Sequence, residues 1–546
     1  MKPTCRFMDV CSSRLLHKNL VQHQITVSLI LFTGFLPFPE LETMRAHLFD
    51  LSSSDLFSLN ALDLSTGIHS KRFSCEDVMT SFLDHIHHLN PIYNALVNLR
   101  DTDTLLLEAR ASDQALSMGR SKGWMHGLPI AVKDLAPTAG IATTLGSPLL
   151  QHYMPKEDCL MVSRMRGSGA ILIGKTNTPE FGLGSHTYNP LFGTTSNAYH
   201  PQLSAGGSSG GAACALALRM LPLADGSDFM GSLRNPAAWQ NIFGLRPSFG
   251  RIPSLPSTEL FVQQLGVEGP MARNMADLSM LLGTQAGCDD RFPLGIDASS
   301  NSFMLEMRNL AKGFVSAPKS LTGIKVAWLG DLDGYLPMER GILSQCEKGL
   351  ERLEQCGAHI EHLTPNFDPQ KVWSAWLVLR HVSVAHRLSP LLSLPGAQSQ
   401  MKPEALWEIQ GAELISAAQF LNASQTRSQL FQKLQETLQS HDVLCLPSAQ
   451  VWPFAKEMHW PSSIDTQRGQ VQMDTYHRWM EVVIYATLAG LPTLNVPVGF
   501  NKEGLPMGMQ LIGQPRGEVQ LLKIGQAYEA QITDWLSIKP SILGTV

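Results

Sequence analysis

Apolar positions recur every three or four residues in two early stretches of the chain, a spacing that puts them on one face of a helix. In the first, Ser74 followed by Glu76 and Asp77 offers an N-terminal cap, and Val78, Phe82, Ile86 and Leu89 form the stripe. In the second, residues 104–117, Leu105, Leu106, Ala109 and Leu116 supply it. The texture then changes to short apolar runs set between glycines and prolines, at residues 128–132, 170–173 and 221–224. Runs bounded by turn residues predict buried strands. They alternate with small-residue helices such as residues 212–218. Helical periodicity returns between 340 and 440, most clearly over residues 404–421 and 428–439. Two further strand-like runs follow at 443–446 and 493–497. Strands and helices are mixed in order and no internal repeat is visible, so the simplest architecture is a layered α/β fold with a helical insertion.

Composition narrows the class. The 546 residues are 44% hydrophobic and 16% charged, against about 25% charged in typical soluble domains. Such a chain buries a large core, which excludes global disorder. At about 150 residues per domain its length would suggest three or four domains, although large single-sheet enzymes often exceed that figure. A net charge of −5 gives no basic stripe for a nucleic acid, so a small-molecule partner is expected. The nine cysteines form no CxxC pair and no zinc-like spacing with histidine. They read as reduced thiols, which points to the cytosol. Nothing in the chain argues against a homodimer.

The N-terminus reads differently. Residues 19–39 carry no charged side chain, and a mostly apolar run from Ile25 to Phe38 follows Lys2, Arg6, Arg14 and Lys18. That resembles a signal peptide. Asn19, Gln22, His23 and Gln24 shorten the apolar part below the ~20 residues of a membrane span, and no small-x-small cleavage site follows. The reading adopted is an N-terminal extension over residues 1–43, a folded domain over 44–546, and no stable membrane association.

Candidate chemistry lies between residues 127 and 253. Lys133 ends the apolar strand that begins after Gly127, and burial there would favour the neutral amine, a potential base. On its own the signal is weak, because a strand-end lysine usually snorkels to solvent. Gly206-Gly207-Ser208-Ser209-Gly210-Gly211 runs straight into Ala-Ala-Cys-Ala-Leu-Ala, which favours a structured loop over a linker. Gly226-Ser227-Asp228-Phe229-Met230-Gly231-Ser232-Leu233-Arg234 places a serine between a turn and the helix start at Pro236. A serine so placed can be presented to a cleft beside backbone N–H groups, as a nucleophile and oxyanion hole require.

Together these pieces resemble the amidase signature family. Lys133, Ser208 seventy-five residues later and Ser232 twenty-four after that fall where the family has its lysine, cis-serine and nucleophile. The segments Gly140 to Ser147, Gly174 to Phe181, Gly244 to Arg251, Ala489 to Pro492 and Gly504 to Gly508 are also similar, so the likeness runs from about residue 50 to 530. It implies a single α/β/α domain around a mixed, twisted sheet. It also implies hydrolysis of a small carboxamide, or a related ester, without metal or cofactor. Lys133 would take a proton from Ser208, which relays it from Ser232, and Ser232 would form an acyl-enzyme. Backbone N–H groups of Phe229, Met230, Gly231 and Ser232 would hold the oxyanion. Ser209 would bond the lysine, and Asp228 with Arg234 would brace the turn.

Many members of that family have a second glycine where this chain has Met230, a departure expected to alter substrate range while leaving activity. The run Gly169 to Thr176 fits the P-loop expression, but its apolar strand lies between the glycines and Pro179 follows, so nucleotide binding is not expected. Trp373, Trp376, Trp407, Trp452, Trp460 and Trp479 could be core residues or an apolar pocket wall. Two other functions share the fold: the glutaminase component of a tRNA-dependent amidotransferase, which needs partner subunits, and a catalytically silent binding protein.

Overall fold

A computed structural model describes residues 53–296, 299–313 and 320–544. The boundary expected at residue 43 and the apolar stretch before it lie outside these residues. Fifteen strands are described: β1 (Leu96–Val97), β2 (Pro129–Lys133), β3 (Ile171–Thr176), β4 (Tyr188–Asn189), β5 (Gly193–Thr194), β6 (Ala224–Asp228), β7 (Phe243–Arg246), β8 (Val267–Ala272), β9 (Lys325–Trp328), β10 (His359–His362), β11 (Val443–Pro447), β12 (Ser463–Thr466), β13 (Gly469–Gln472), β14 (Thr493–Phe500) and β15 (Pro506–Gly513). The helices that matter below are α1 (Cys75–Tyr93), α2 (Thr102–Ser117), α3 (Gly210–Ala217), α4 (Asn235–Trp239), α5 (Pro369–Leu388), α6 (Pro403–Glu413) and α7 (Ala417–Leu438).

The early helices form where the period placed them. Ser74 caps α1 by accepting from Asp77 N–H, and the Asp77 carboxylate accepts from Ser74 N–H in return. Such a cap is worth about 1 kcal/mol. Val78, Phe82, Ile86 and Leu89 are all buried on its inner face.

The strands build a mixed sheet of eight in the order β10-β9-β11-β15-β14-β7-β8-β6. β10, β9 and β11 run parallel, and each remaining neighbour pair is antiparallel. A second sheet, β1-β3-β2, has β2 parallel to β3. With helices packed on these sheets the fold is α/β, as expected. Among the described residues no backbone ladder joins β2 to β6. Side chains make that seam: the Asp225 carboxylate on β6 accepts the Lys133 N–H on β2, with both oxygens at 3.2 Å.

Three elements differ from expectation. The strand expected at residues 221–224 begins at Ala224 and runs to Asp228. Pro222 offers no N–H for a ladder, and the paired residues are the polar Asp225, Ser227 and Asp228. The single helix expected over 404–421 is two, because Ser416 and Gln419 form a capping box that starts α7 afresh. The helical region from 340 to 440 also contains a strand, β10. The seven described cysteines are unpaired, six of them buried and Cys288 exposed. No helix among the described residues is long and apolar enough to cross a membrane.

Candidate active site

β2 is buried along its whole length, and that carries Lys133 at its end into the interior, where it is 1% exposed. Its Nζ lies 2.7 Å from Ser208 Oγ, 2.8 Å from Ser209 Oγ and 3.0 Å from Ser227 Oγ. Burial pushes the amine down to about 7, against the carboxylates of Asp225 and Asp228, which favour its charged form. Asp225 is itself pushed up to about 6 by burial, with the Lys133 N–H and the two nearby lysines pulling the other way. A neutral amine offers a lone pair, so Lys133 can accept a proton from one of the hydroxyls around it.

The glycine-serine loop is structured. The Gly207–Ser208 peptide is cis. Gly207 N–H donates to Asn235 Oδ1 at 3.2 Å, and Gly210 N–H donates to Thr187 Oγ1 at 3.1 Å. A Cβ on Gly211 would stand 2.4 Å from Asn177 N, so glycine there lets the start of α3 press against the end of β3.

The third segment forms a turn between β6 and α4. Asp228 accepts from Gly231 N–H at 3.0 Å and Leu233 N–H at 3.1 Å. Arg234 grips the same carboxylate with Nε at 3.0 Å and a terminal nitrogen at 2.8 Å. Its remaining N–H groups go to Val483 O, Gln510 Oε1 and Thr487 Oγ1 at 2.7–2.9 Å, so all five are satisfied. Arg246 adds a second cation 3.3 Å from Asp228. Burial alone would raise Asp228, but the two guanidiniums hold it well below the usual carboxylate range. Gly231 sits at φ +80°, and a Cβ there would lie 2.8 Å from the Val483 side chain. Met230 is absent from the positive-φ residues, so its side chain is compatible with the turn.

Ser232 is nearly buried and lines a narrow cavity of about 30 Å³ with Phe229, Met230, Arg380, Arg387 and His477 among its walls. Its hydroxyl has no hydrogen-bond partner among the described residues. The structure thus gathers Lys133, Ser208 and Ser209 and turns Ser232 to a cavity, while no hydrogen bond joins Ser208 to Ser232. Of the four N–H groups implied for the oxyanion, that of Gly231 is already donated to Asp228. Those of Phe229, Met230 and Ser232 have no acceptor among the described residues.

Several participants escaped the sequence reading. Ser227 reaches Lys133 Nζ and Asp225 its backbone, although the alternation of a strand, Asp225 and Ser227 on one face, was a usable signal. Arg380 was missed as well; an arginine inside the apolar helix face after Trp376 was the clue. Trp373, Trp376 and Trp479 are core residues, yet Trp376 also packs 5.7 Å from Phe229, and Trp460 and Trp479 line a second small cavity. Lys175, from the P-loop-like run, is buried and bonds Ala136 O at 2.5 Å and Thr138 Oγ1 at 2.7 Å; its strand β3 starts between the two glycines and, unlike the expected run, continues through Gly174 to Thr176.

Comparison with known proteins gives first the class. A bacterial aryl acylamidase of the amidase signature enzymes has the same fold, with a TM-score of 0.79 at 24% identity over 88% of this chain and 97% of that one. The chain belongs to the amidase family, whose sequence model matches residues 77–522. Its similar relatives include an acylamidase of Rhodococcus erythropolis, 28% identical over 90% of this chain and 99% of the relative. They also include the A-type component of the glutamyl-tRNA(Gln) amidotransferase of Halorhodospira halophila, 30% identical over 87% and 97%. The protein is therefore an amidase, a hydrolase of amides.

Proposed function

We propose that the protein hydrolyses the C–N bond of a small carboxamide through Lys133, Ser208 and Ser232, with an acyl-enzyme intermediate. The observation that carries this reading is the neutral-leaning Lys133 amine held 2.7 Å from Ser208 Oγ, beside a cavity that Ser232 lines. The Ser232 hydroxyl turns onto Ser208 as the substrate binds, a tightening that unliganded sites commonly undergo. Ser232 Oγ then attacks the carbonyl carbon while its proton passes to Ser208, whose own proton passes to Lys133 Nζ. The oxyanion is received by the N–H groups of Phe229, Met230 and Ser232. Return of the proton to the amide nitrogen lets the C–N bond break and the amine leave. Water attacks the resulting ester by the same relay, releasing the carboxylic acid and restoring Ser232.

Ser209 and Ser227 orient the amine, and Asp228 with Arg234 fixes the turn that presents Ser232. Met230 narrows the cavity, which bears on substrate range and leaves the N–H donor intact.

A second reading, the glutaminase component of a tRNA-dependent amidotransferase, is favoured by relatives of that name. Against it, no acidic side chain lines the cavity beside Ser232, so a glutamine ammonium finds no counter-charge there. The direct test is labelling with a fluorophosphonate, read by intact mass. One adduct, lost in Ser232→Ala, is expected. Absence of an adduct on folded wild-type protein would favour the silent binding protein, and an adduct retained in Ser232→Ala would remove the nucleophile assignment.

A further inference from the structure

Arg380 is 3% exposed yet lines the cavity with Ser232. Its Nε bonds Glu408 Oε1 at 2.5 Å and one terminal nitrogen bonds Tyr476 OH at 2.5 Å. The other terminal nitrogen has only the Met230 sulfur, at 4.0 Å. A thioether is a weak acceptor, so two N–H donors of a buried cation are in effect unspent. The rings of Phe229, Trp376 and Tyr476 stand within 5.5–5.7 Å of the guanidinium and fix its plane.

Two further groups share the cavity. Arg387 lies seven residues on along α5, two turns and therefore the same helix face, and is solvent-exposed. His477 is 2% exposed, and neither ring nitrogen has a hydrogen-bond partner among the described residues. Burial and the neighbouring Arg380 keep that ring neutral, well below the ordinary histidine value. Glu408 offsets Arg380, leaving the charge of Arg387 without a carboxylate in the lining. An arginine with an unspent fork edge, a second arginine and a buried imidazole in one lining together describe a polar subsite for one anion.

We infer that the amide cleaved by this protein carries a carboxylate, bound by the free edge of Arg380 with Arg387 and His477. This rests on the amidase reading for the reaction but not for the binding. Glu408 and Tyr476 act as positioning residues, because they hold Arg380 with its free edge to the cavity.

The test measures binding by calorimetry to Ser232→Ala protein, checked for folding by circular dichroism. Two matched pairs are compared: N-phenylsuccinamate with N-phenylbutanamide, and 4-acetamidobenzoate with acetanilide. They place the carboxylate on the acyl side and the amine side in turn. In at least one pair the carboxylate is expected to bind at least fivefold tighter. That preference is expected to fall at least threefold in Arg387→Gln, and in Arg380→Lys, which keeps charge but loses the fork. A preference below fivefold in both pairs overturns the inference. So does one that survives Arg387→Gln, which decides alone if the Arg380 variant does not fold. If wild-type protein turns over neither member of a pair and takes no fluorophosphonate, the amidase reading fails while the binding ratio still decides the subsite.

Discussion

Raising the pH from 6 to 9 is expected to switch on Ser232 along a curve set by Lys133. Burial holds that amine at about 7, from an ordinary value of 10.5. The neutral fraction is then about 0.1 at pH 6, about 0.5 at pH 7 and about 0.9 at pH 8. The second-order rate of fluorophosphonate labelling, followed by intact mass over time, needs no knowledge of the substrate. It is expected to rise about fivefold from pH 6 to 7 and about twofold from pH 7 to 8, and to be level by pH 9.

Stability carries the same signature with a definite sign. Because the folded state holds the lysine proton less tightly, the unfolded chain binds more protons between about pH 7 and 10.5, and stability rises with pH across that window. The whole effect is worth about 5 kcal/mol, of which about 2 kcal/mol is recovered between pH 7 and 9. Lys133→Met does not titrate, so its stability relative to wild type in urea is expected to fall by about 2 kcal/mol over those two pH values. Its lost hydrogen bonds shift both points alike. A labelling rate that is flat from pH 5 to 9, or one that climbs about tenfold per pH unit right through 9, would refute the reasoning.

Three other outcomes follow from the same geometry. Asp225→Asn removes a charge that favours the ammonium form, so the midpoint of the labelling curve is expected to move about half to one pH unit toward acid. An unmoved midpoint would mean that the carboxylate is not felt at Nζ. Asp228→Ala leaves Arg234 and Arg246 buried without their counter-charge and is expected to cost about 3–5 kcal/mol in chemical denaturation. A loss under about 1 kcal/mol would remove the bracing role. Gly231→Ala meets both the φ of +80° and the Val483 side chain, for an expected loss of about 1–3 kcal/mol together with slower labelling. Adding Val483→Ala is expected to restore the part due to the clash, and no restoration would assign the whole effect to the backbone.

The strands that could be read from the chain are the ones buried on both faces. The apolar runs at 128–132 and 170–173 fall in β2 and β3, which are buried throughout, and a mostly apolar run is what such a position demands. β6 was misplaced because its Ala-Asp-Gly-Ser-Asp sequence pairs only with β8 and spends its polar side chains on the seam and the turn. The break between α6 and α7 was hidden by Leu414 and Ile415, which prolong the apolar period up to the cap at Ser416. At the site, glycine and serine runs signalled where hydroxyls cluster. Which hydroxyl reaches the lysine depends on how β2 sits against β6, and no local pattern encodes that. Arg380 was less legible still, because its role arises from a helix that begins more than 130 residues after Ser232 in sequence.

Lys133 belongs to one sheet, and Ser227 and the turn bearing Ser232 grow from the edge of the other, with no ladder between them. A slip of one residue along either strand is about 3.3 Å, enough to carry Nζ out of reach of its hydroxyls. The ladders within each sheet survive such a slip, and what is lost is the hold of the Asp225 carboxylate on the Lys133 N–H. Warming is therefore expected to lower the rate of fluorophosphonate labelling before the circular dichroism changes, and cooling to restore that rate without refolding. The labelling rate would then gauge how closely two intact sheets are mated.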